Sequence, residues 1–433
     1  MTDTTAAVAP ETGQSSGRLG GAFWRLWSAA VLSQLGDALR TPALALLAAT
    51  LSRDPRTIAA VVVAGQLPPL LFGLIGGVYA DRWDRRRTMA LVDGLRALLV
   101  AGFAVLVATG QASIAVLAGC AFLLATLGTF FDASAFAMLP AVVPADRLAL
   151  ANGRLQAGTA LARGFVGAPA AGVLFAIAAA LPFAVDAVSF AVAALLALTL
   201  RPASPGLSKA AGRSPGSMAK PGSMAKPGGR SLWREAGDGL RWIRQEPTLR
   251  VITGLTAVTN LAISAMIAVL VLYALDVLGV TEAGYGVFMA AAVVGTLLGA
   301  LGAGRLARRF GTLAGLRWVL AGQTLALAGL AFSRHPIPGA AALAVFSAGT
   351  AMWNALWAAY GQRNVPAELL GRVGSAQRTV GLLTAPVGAA LGGFAAQAYG
   401  LPVVVYAATA VLALATLGSW RTLSRPVPPD QVG

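Results

Sequence analysis

The chain has 433 residues, of which 57% are hydrophobic and 12% charged, and its net charge is +16. A soluble domain carries about 25% charged residues, so this composition excludes an ordinary soluble globular protein and points to many membrane spans. A single cysteine (Cys120) and a single histidine (His335) exclude an intramolecular disulfide, a cysteine cluster and a multi-histidine metal site.

Residues 1–22 are small and polar and read as a disordered cytoplasmic N-terminus. The apolar segment that follows is too long and too charged for a cleavable signal peptide. Twelve apolar segments can then be counted, near 23–50, 57–80, 88–109, 112–136, 156–179, 181–200, 249–273, 284–304, 314–332, 339–360, 379–399 and 401–420. At 1.5 Å per residue each is long enough to cross about 30 Å of hydrocarbon. The expected organisation is a six-helix bundle over 23–200, a cytoplasmic linker over 201–248, a second bundle over 249–420 and a cytoplasmic tail over 421–433.

The linker contains a direct copy of PGSMAK at 215–226, and its Pro, Gly and Ser read as a flexible tether. Its last part, 231–247, has Trp233, Ala236, Leu240 and Ile243 at helical spacing with charges elsewhere. That pattern predicts an interfacial helix on the membrane surface.

The basic residues are unevenly placed. Of the 33 lysines and arginines, 27 lie in alternate loops and termini or at the segment ends beside them, and 3 (Arg53, Arg56, Arg334) lie in the other loops. Three more (Arg40, Arg96, Arg163) fall inside apolar segments. This is a strong positive-inside signal with both termini in the cytoplasm. It accounts for the net charge as orientation and argues against nucleic acid as a partner.

The two halves repeat one another. LPFAVDAVSFAVAALLALTLR (181–201) resembles LPVVVYAATAVLALATLGSWR (401–421), VPADRL (143–148) matches VPAELL (365–370), and DRWDRR (81–86) matches GRLARR (304–309). Glycine and proline echo each other between 164–172 and 382–393. Similar stretches in the same order indicate duplication, and two six-helix halves joined by a long loop make the pseudo-symmetric pair of a rocking transporter.

One stretch adds a family resemblance. GVYADRWDRR, Gly77 to Arg86, fits G-x-x-x-D-R-x-x-R-R and resembles the loop 2–3 signature of the major facilitator superfamily. FWRLWSAAVLSQLGDAL (23–39), FFDASAFAMLPAVVPADRLALANG (130–153), LPFAVDAVSF (181–190) and LWREAGDGLRWI (232–243) resemble the drug and macrolide exporters, a group that includes enterobactin-type siderophore exporters. The resemblance implies an all-α membrane protein with twelve transmembrane helices in two pseudo-symmetric six-helix bundles, in a bacterial inner membrane. It also implies a cytoplasmic gate made by Gly77, Asp81, Arg82, Arg85 and Arg86. Gly77 would let the second helix approach a neighbour, and Asp81 would meet the start of the eleventh near Thr379 to Gly381. The arginines would hold Asp81 and the facing half. In the fifth helix, many exporters carry G-x-x-x-G-P-x-x-G-G. Here Gly164, Gly167, Pro169 and Gly172 carry an extra alanine between Gly167 and Pro169.

Charges inside a membrane cost about 2.5–3.5 kcal/mol each at mid-bilayer on insertion scales, so intramembrane acids are functional candidates. Asp37 lies near the middle of the first helix with Arg40 three residues on, and the pair can serve coupling or substrate binding or be a fixed ion pair. Asp93 and Arg96 read as a structural pair on the third helix. Asp186 is a second coupling candidate on the sixth. In this fold the first, fourth, seventh and tenth helices line the cavity, which nominates Phe130, Phe131, Asn260, Trp353, Asn354 and Trp357. Those side chains suit a bulky amphipathic solute.

The expected function is secondary active export of a bulky organic compound (a drug, an antibiotic or a siderophore-like molecule) by alternating access and proton antiport. An uptake carrier or lipid flippase on the same fold is the alternative, ahead of a non-transporting sensor. No G-x-x-x-x-G-K-[ST], H-E-x-x-H or G-x-S-x-G motif occurs, so neither ATP-driven transport nor an intramembrane enzyme is expected. The expected partners are a small-molecule substrate, protons and the lipid bilayer, with the chain monomeric and no cofactor or metal.

Overall fold

The computed structural model describes residues 19–424 apart from Trp83, 144–146, 201–240 and Pro366; within helices, only the backbone is described for 73–82, Arg85, 163–165 and 367–372, among others. The described residues form twelve helical rods. They are α1 (Gly21–Leu51), α2 (Pro55–Arg82), α3 (Arg85–Ala108), α4 (Ile114–Val142) and α5, which runs Leu148–Leu161, passes a π-helical turn at Ala162–Gly167 and continues as Ala168–Ile177. Next comes α6 (Leu181–Leu198), then α7 (Pro247–Leu272, with a π-helical end at Tyr273–Val277) and α8 (Glu282–Phe310). The last four are α9 (Thr312–Phe332), α10 (Pro336–Asn364), α11 (Ala367–Tyr399) and α12 (Leu401–Ser419). Among the described residues, ten helices are long and apolar enough to cross a membrane by length and composition. The other two rods are α1, which carries buried charges, and α5, which the π-turn interrupts.

Several helices outrun the apolar segments. α5 starts at Leu148 where the apolar run starts near 156, and α11 starts at Ala367 where the run starts near 379. Apolarity marks the hydrocarbon layer, but the helix continues into water because its backbone groups still pair along the rod. The repeated VPA segments lie at the starts of α5 and α11, where proline disfavours helix in the residue before it. Asp84 caps α3 by accepting from the backbone N–H groups of Arg86 and Arg87. At the other end Asp54 accepts from the backbone N–H of Arg56, and the Arg56 side chain beside it holds the Asp54 carboxyl below the usual carboxylate range.

The extra alanine in α5 has a structural outlet. A π-turn holds one more residue than an α-turn, and the turn at Ala162–Gly167 immediately precedes Ala168. The rod therefore absorbs the additional residue without breaking.

Packing repeats the duplication. In the first half α2 packs on α4, α3 on α6, α1 on α6, α1 on α5 and α3 on α4. In the second half α8 packs on α10, α9 on α12, α7 on α12, α7 on α11 and α9 on α10, each pair displaced by six helices. The halves meet through α2 with α11 and α5 with α8, which are themselves equivalent pairs. Leu98, Leu301, Leu325 and Leu414 are exposed on the outside of these bundles, as helices facing acyl chains require.

Among the described residues, close contacts between the halves are seen at the arginine-poor end. A Cβ built on Gly172 of α5 would lie 2.6 Å from the Ala283 carbonyl and 2.8 Å from the Gly286 nitrogen of α8, so the two backbones touch. Ala59 of α2 is buried with Ala268 of α7 and Ala389 of α11. Arg53, in the α1–α2 loop, pairs with Asp276 of the α7 π-turn at 2.9 Å.

Of the linker's expected interfacial helix, 231–240 lies outside the described residues. Residues 241–245 are helical, and Ile243 is buried in the hydrophobic core.

Candidate functional site

Among the described residues, the first half brings together five buried or partly buried charges from three helices. α1 and α3 each carry an Asp and an Arg three residues apart, Asp37-Ala-Leu-Arg40 and Asp93-Gly-Leu-Arg96, so each pair shares one helix face. Asp186 comes from α6. Arg40 hydrogen-bonds Asp37 through Nη2, and its Nε lies 3.1 Å from Asp186 Oδ2. Arg96 lies 3.5 Å from both Asp37 Oδ2 and Asp93 Oδ1. The charges alternate along one chain: Asp93, Arg96, Asp37, Arg40, Asp186. The Asp93 and Asp186 side chains are fully buried, whereas Asp37, at the centre, keeps 22% of its surface.

Small and aromatic neighbours make room for this chain. Gly36 lets α6 close on α1, because a Cβ there would fall on the Asp186 carboxylate and the Ser189 hydroxyl. Gly128 of α4 does the same for Arg96, whose Nη2 would be 2.5 Å from an added Cβ. The Arg96 guanidinium lies over Phe190 of α6 at 4.7 Å and Phe131 of α4 at 5.7 Å. Those faces supply cation–π attraction where water is excluded. Ser33 joins α1 to α3 by donating to Asp93 Oδ1 at 3.5 Å and accepting from Arg96 Nη1 at 3.3 Å.

The cluster is incompletely hydrogen-bonded. Asp93 Oδ2 and both Asp186 oxygens lack a hydrogen-bond donor among the described residues. The 3.1 Å approach of Arg40 Nε to Asp186 is close enough for an ion pair but is not aligned as a hydrogen bond. Long or misaligned contacts around buried carboxylates distinguish this arrangement from a fully satisfied structural network. Arg163, the third intramembrane arginine, sits on the π-turn of α5, which packs against α1; its side chain lies outside the described residues.

The structure thus unites Asp37, Arg40 and Asp186, and it adds Asp93 and Arg96, which the sequence paired only with each other. The repeated Asp-x-Leu-Arg spacing was the available signal. The remaining candidates are distributed differently. Phe131 is buried under Arg96 and Phe130 is half-buried beside it. Trp353 is buried in the hydrophobic core, Asn354 is exposed, and Trp357 is half-buried and stacked on Tyr360 at 6.2 Å. Asn260 of α7 is half-buried and faces Gly381 of α11, where an added Cβ would be 2.9 Å from its Nδ2.

Of the gate motif, Gly77, Asp81 and Arg82 lie on α2 and Arg85 opens α3, but their side chains are outside the described residues. Arg86 donates to the Leu198 carbonyl of α6, within its own half. Any contact of Arg86 with Asp81 or the start of α11 falls on side chains outside the described residues. The end of α6 leaves carbonyls unpaired, and a nearby guanidinium satisfies them.

Comparison with known proteins places these features. Residues 26–389 match the sequence profile described as Major Facilitator Superfamily. Uncharacterized MFS-type transporters of Mycobacterium tuberculosis and Mycobacterium bovis are each 35% identical over 133 residues, which is 30% of this chain and 30% of each relative. Among solved structures, a bacterial homologue of the iron transporter ferroportin in an inward-facing state superposes with a TM-score of 0.71 at 16% identity, covering 93% of this chain and 99% of that one. The nucleoside transporter NupG gives 0.70 at 14% identity, over 94% and 100% of the two chains. A bacterial homologue of the human lysosomal transporter Spinster gives 0.68 at 15%, over 94% and 98%. At these identities the structural likeness establishes the fold.

Proposed function

Since the chain belongs to the Major Facilitator Superfamily and is a multi-pass membrane transporter of that type, we propose that it exports a bulky organic compound by alternating access, driven by inward proton movement. The observation that carries this reading is the buried alternating chain of Asp93, Arg96, Asp37, Arg40 and Asp186, with Asp37 alone keeping appreciable surface. A carboxylate placed between two guanidiniums can exchange partners. Protonating Asp37 weakens both ion pairs and lets Arg96 and Arg40 settle on the outer carboxylates, which shifts α3 and α6 relative to α1. A proton moving down about 100 mV releases about 2.3 kcal/mol, and one pH unit adds about 1.4 kcal/mol. Together these support accumulation of several hundredfold per proton.

In this proposal the packing at the arginine-poor end, with the Arg53–Asp276 pair, closes one side. Asp81, Gly77, Arg82 and Arg85 close the other when the halves rock. Asn260, Asn354 and Trp357 contribute from the second half to solute binding. By the positive-inside rule the arginine-rich end faces the cytoplasm of a bacterial cell.

Reconstitution tests the reading. Proteoliposomes with an imposed pH gradient are given a panel of amphipathic drugs, macrolides and siderophores. Because structures of this fold include a homologue of an iron transporter and a nucleoside transporter, the panel also holds iron and nucleosides. Gradient-dependent movement of an amphipathic compound against the proton flux is expected, and Asp37→Asn abolishes it. Uptake in the direction of the proton flux establishes the alternative carrier. Gradient-driven transport unchanged in Asp37→Asn removes Asp37 from coupling.

A further inference from the structure

α6 ends against two arginines from other helices. Arg25 of α1 donates Nη1 to the Thr199 carbonyl at 3.2 Å, and Arg86 of α3 donates Nη2 to the Leu198 carbonyl. These contacts cap the helix, but each guanidinium carries five N–H donors. Arg86 Nε is shielded from solvent and has no hydrogen-bond partner among the described residues. A surface cavity of about 620 Å³ opens between the two arginines, lined by Arg25, Arg86, Leu196, Leu198 and Thr199. Among the described residues, none that lines it is acidic.

The surroundings are those of a membrane boundary. The arginine-rich end is where the headgroup layer meets the helices. From this end α3 exposes Leu91, Leu95 and Leu98, and α6 exposes Leu195, Val192 and Val188. In chain order both sets follow the four-then-three spacing of a single helix stripe, and α3 and α6 pack side by side. Trp24, next to Arg25 in sequence, is also exposed.

We propose that this pocket binds the phosphate of an anionic phospholipid, with its acyl chains along the outward stripes of α3 and α6. Guanidiniums recognise phosphate oxygens through paired N–H donors, and basic pockets between spanning helices on the cytoplasmic side suit anionic headgroups. A zwitterionic headgroup presents an ammonium to the same two arginines and is disfavoured. The site is separate from the charge chain around Asp37 and does not depend on the transported substrate.

Lipid retention by full-length protein tests this, measured by native mass spectrometry with phosphatidylglycerol and phosphatidylcholine of matched chains. An arginine near an anionic surface contributes about fivefold, so two predict about thirtyfold preference for phosphatidylglycerol. Arg25→Gln with Arg86→Gln should reduce that preference to about twofold. Since this double variant also removes two helix caps, Arg25→Lys with Arg86→Lys is measured beside it and should keep most of the preference. Equal retention of the two lipids by the unaltered protein overturns the proposal, as does an undiminished preference in the double glutamine variant. Displacement of phosphatidylglycerol by millimolar inorganic phosphate reassigns the pocket to free phosphate and also overturns it.

Discussion

Replacing Asp186 with Asn removes one charge from the end of the buried chain while keeping the side-chain shape. Arg40 Nε lies 3.1 Å from Asp186 Oδ2, and the two side chains keep 12% and 0% of their surface. At an effective dielectric of about 20, the gross attraction at this distance is about 5 kcal/mol. Breaking one partner of a buried pair costs about 3–5 kcal/mol, because the other charge is left behind. Asp37 also holds Arg40 and absorbs part of that loss, so the lower figure applies, about 3 kcal/mol. The assay is reversible unfolding in mixed micelles of Asp186→Asn, Arg40→Gln and the double variant. The cycle should show coupling of at least about 1.5 kcal/mol, within the range for residues in one network. Additive losses, with Asp186→Asn within about 0.5 kcal/mol of the unaltered protein, would refute an ion pair at this position.

Three further perturbations address the packing and the gates. Gly36→Ala places a methyl against the Asp186 carboxylate and Ser189, and overpacking of this kind costs about 1–3 kcal/mol. A lower melting temperature and slower transport are expected, with partial recovery when Ser189→Ala is added; full stability in Gly36→Ala alone means that α1 and α6 are not packed this tightly. Arg53→Gln changes an exposed pair, so stability should fall by at most about 1 kcal/mol. Val62 of α2 is partly buried against the Ala59, Ala268 and Ala389 contact; labelling of a Val62→Cys probe from the arginine-poor side, in a Cys120→Ser background, should nevertheless rise severalfold, and an unaltered rate removes the pair from that gate. Asp81→Asn should shift labelling toward the state open at the arginine-rich end, and an identical pattern with and without the substitution counts against the latch.

Much of the fold was legible because a membrane makes composition informative. Apolar runs located the rods, and the LPFAV/LPVVV and VPA copies marked corresponding helix starts in the two halves. Helix lengths were underestimated where rods continue into water, since apolarity reports the hydrocarbon layer and not the end of hydrogen bonding. The extra alanine in α5 was visible, but its accommodation as a π-turn was not, because π and α turns share the same local composition. Trp353 illustrates a different limit: its depth in α10 was readable, but which side of the helix faced the core was not.

The sequence by itself determined the membrane class, the duplication and the presence of acids and arginines inside apolar helices, because each of these depends on residues close together along the chain. It also fixed the two Asp-x-Leu-Arg pairs, since a helix places residues three apart on one face. Only the tertiary structure decided that the pairs meet. Asp37 and Arg96 are separated by an entire hairpin, and Asp186 lies far beyond both. Their meeting depends on α1 packing against α6 while α3 packs against α6, with Gly36 and Gly128 leaving the necessary space. Two apparently separate ion pairs thereby become one alternating chain of five charges.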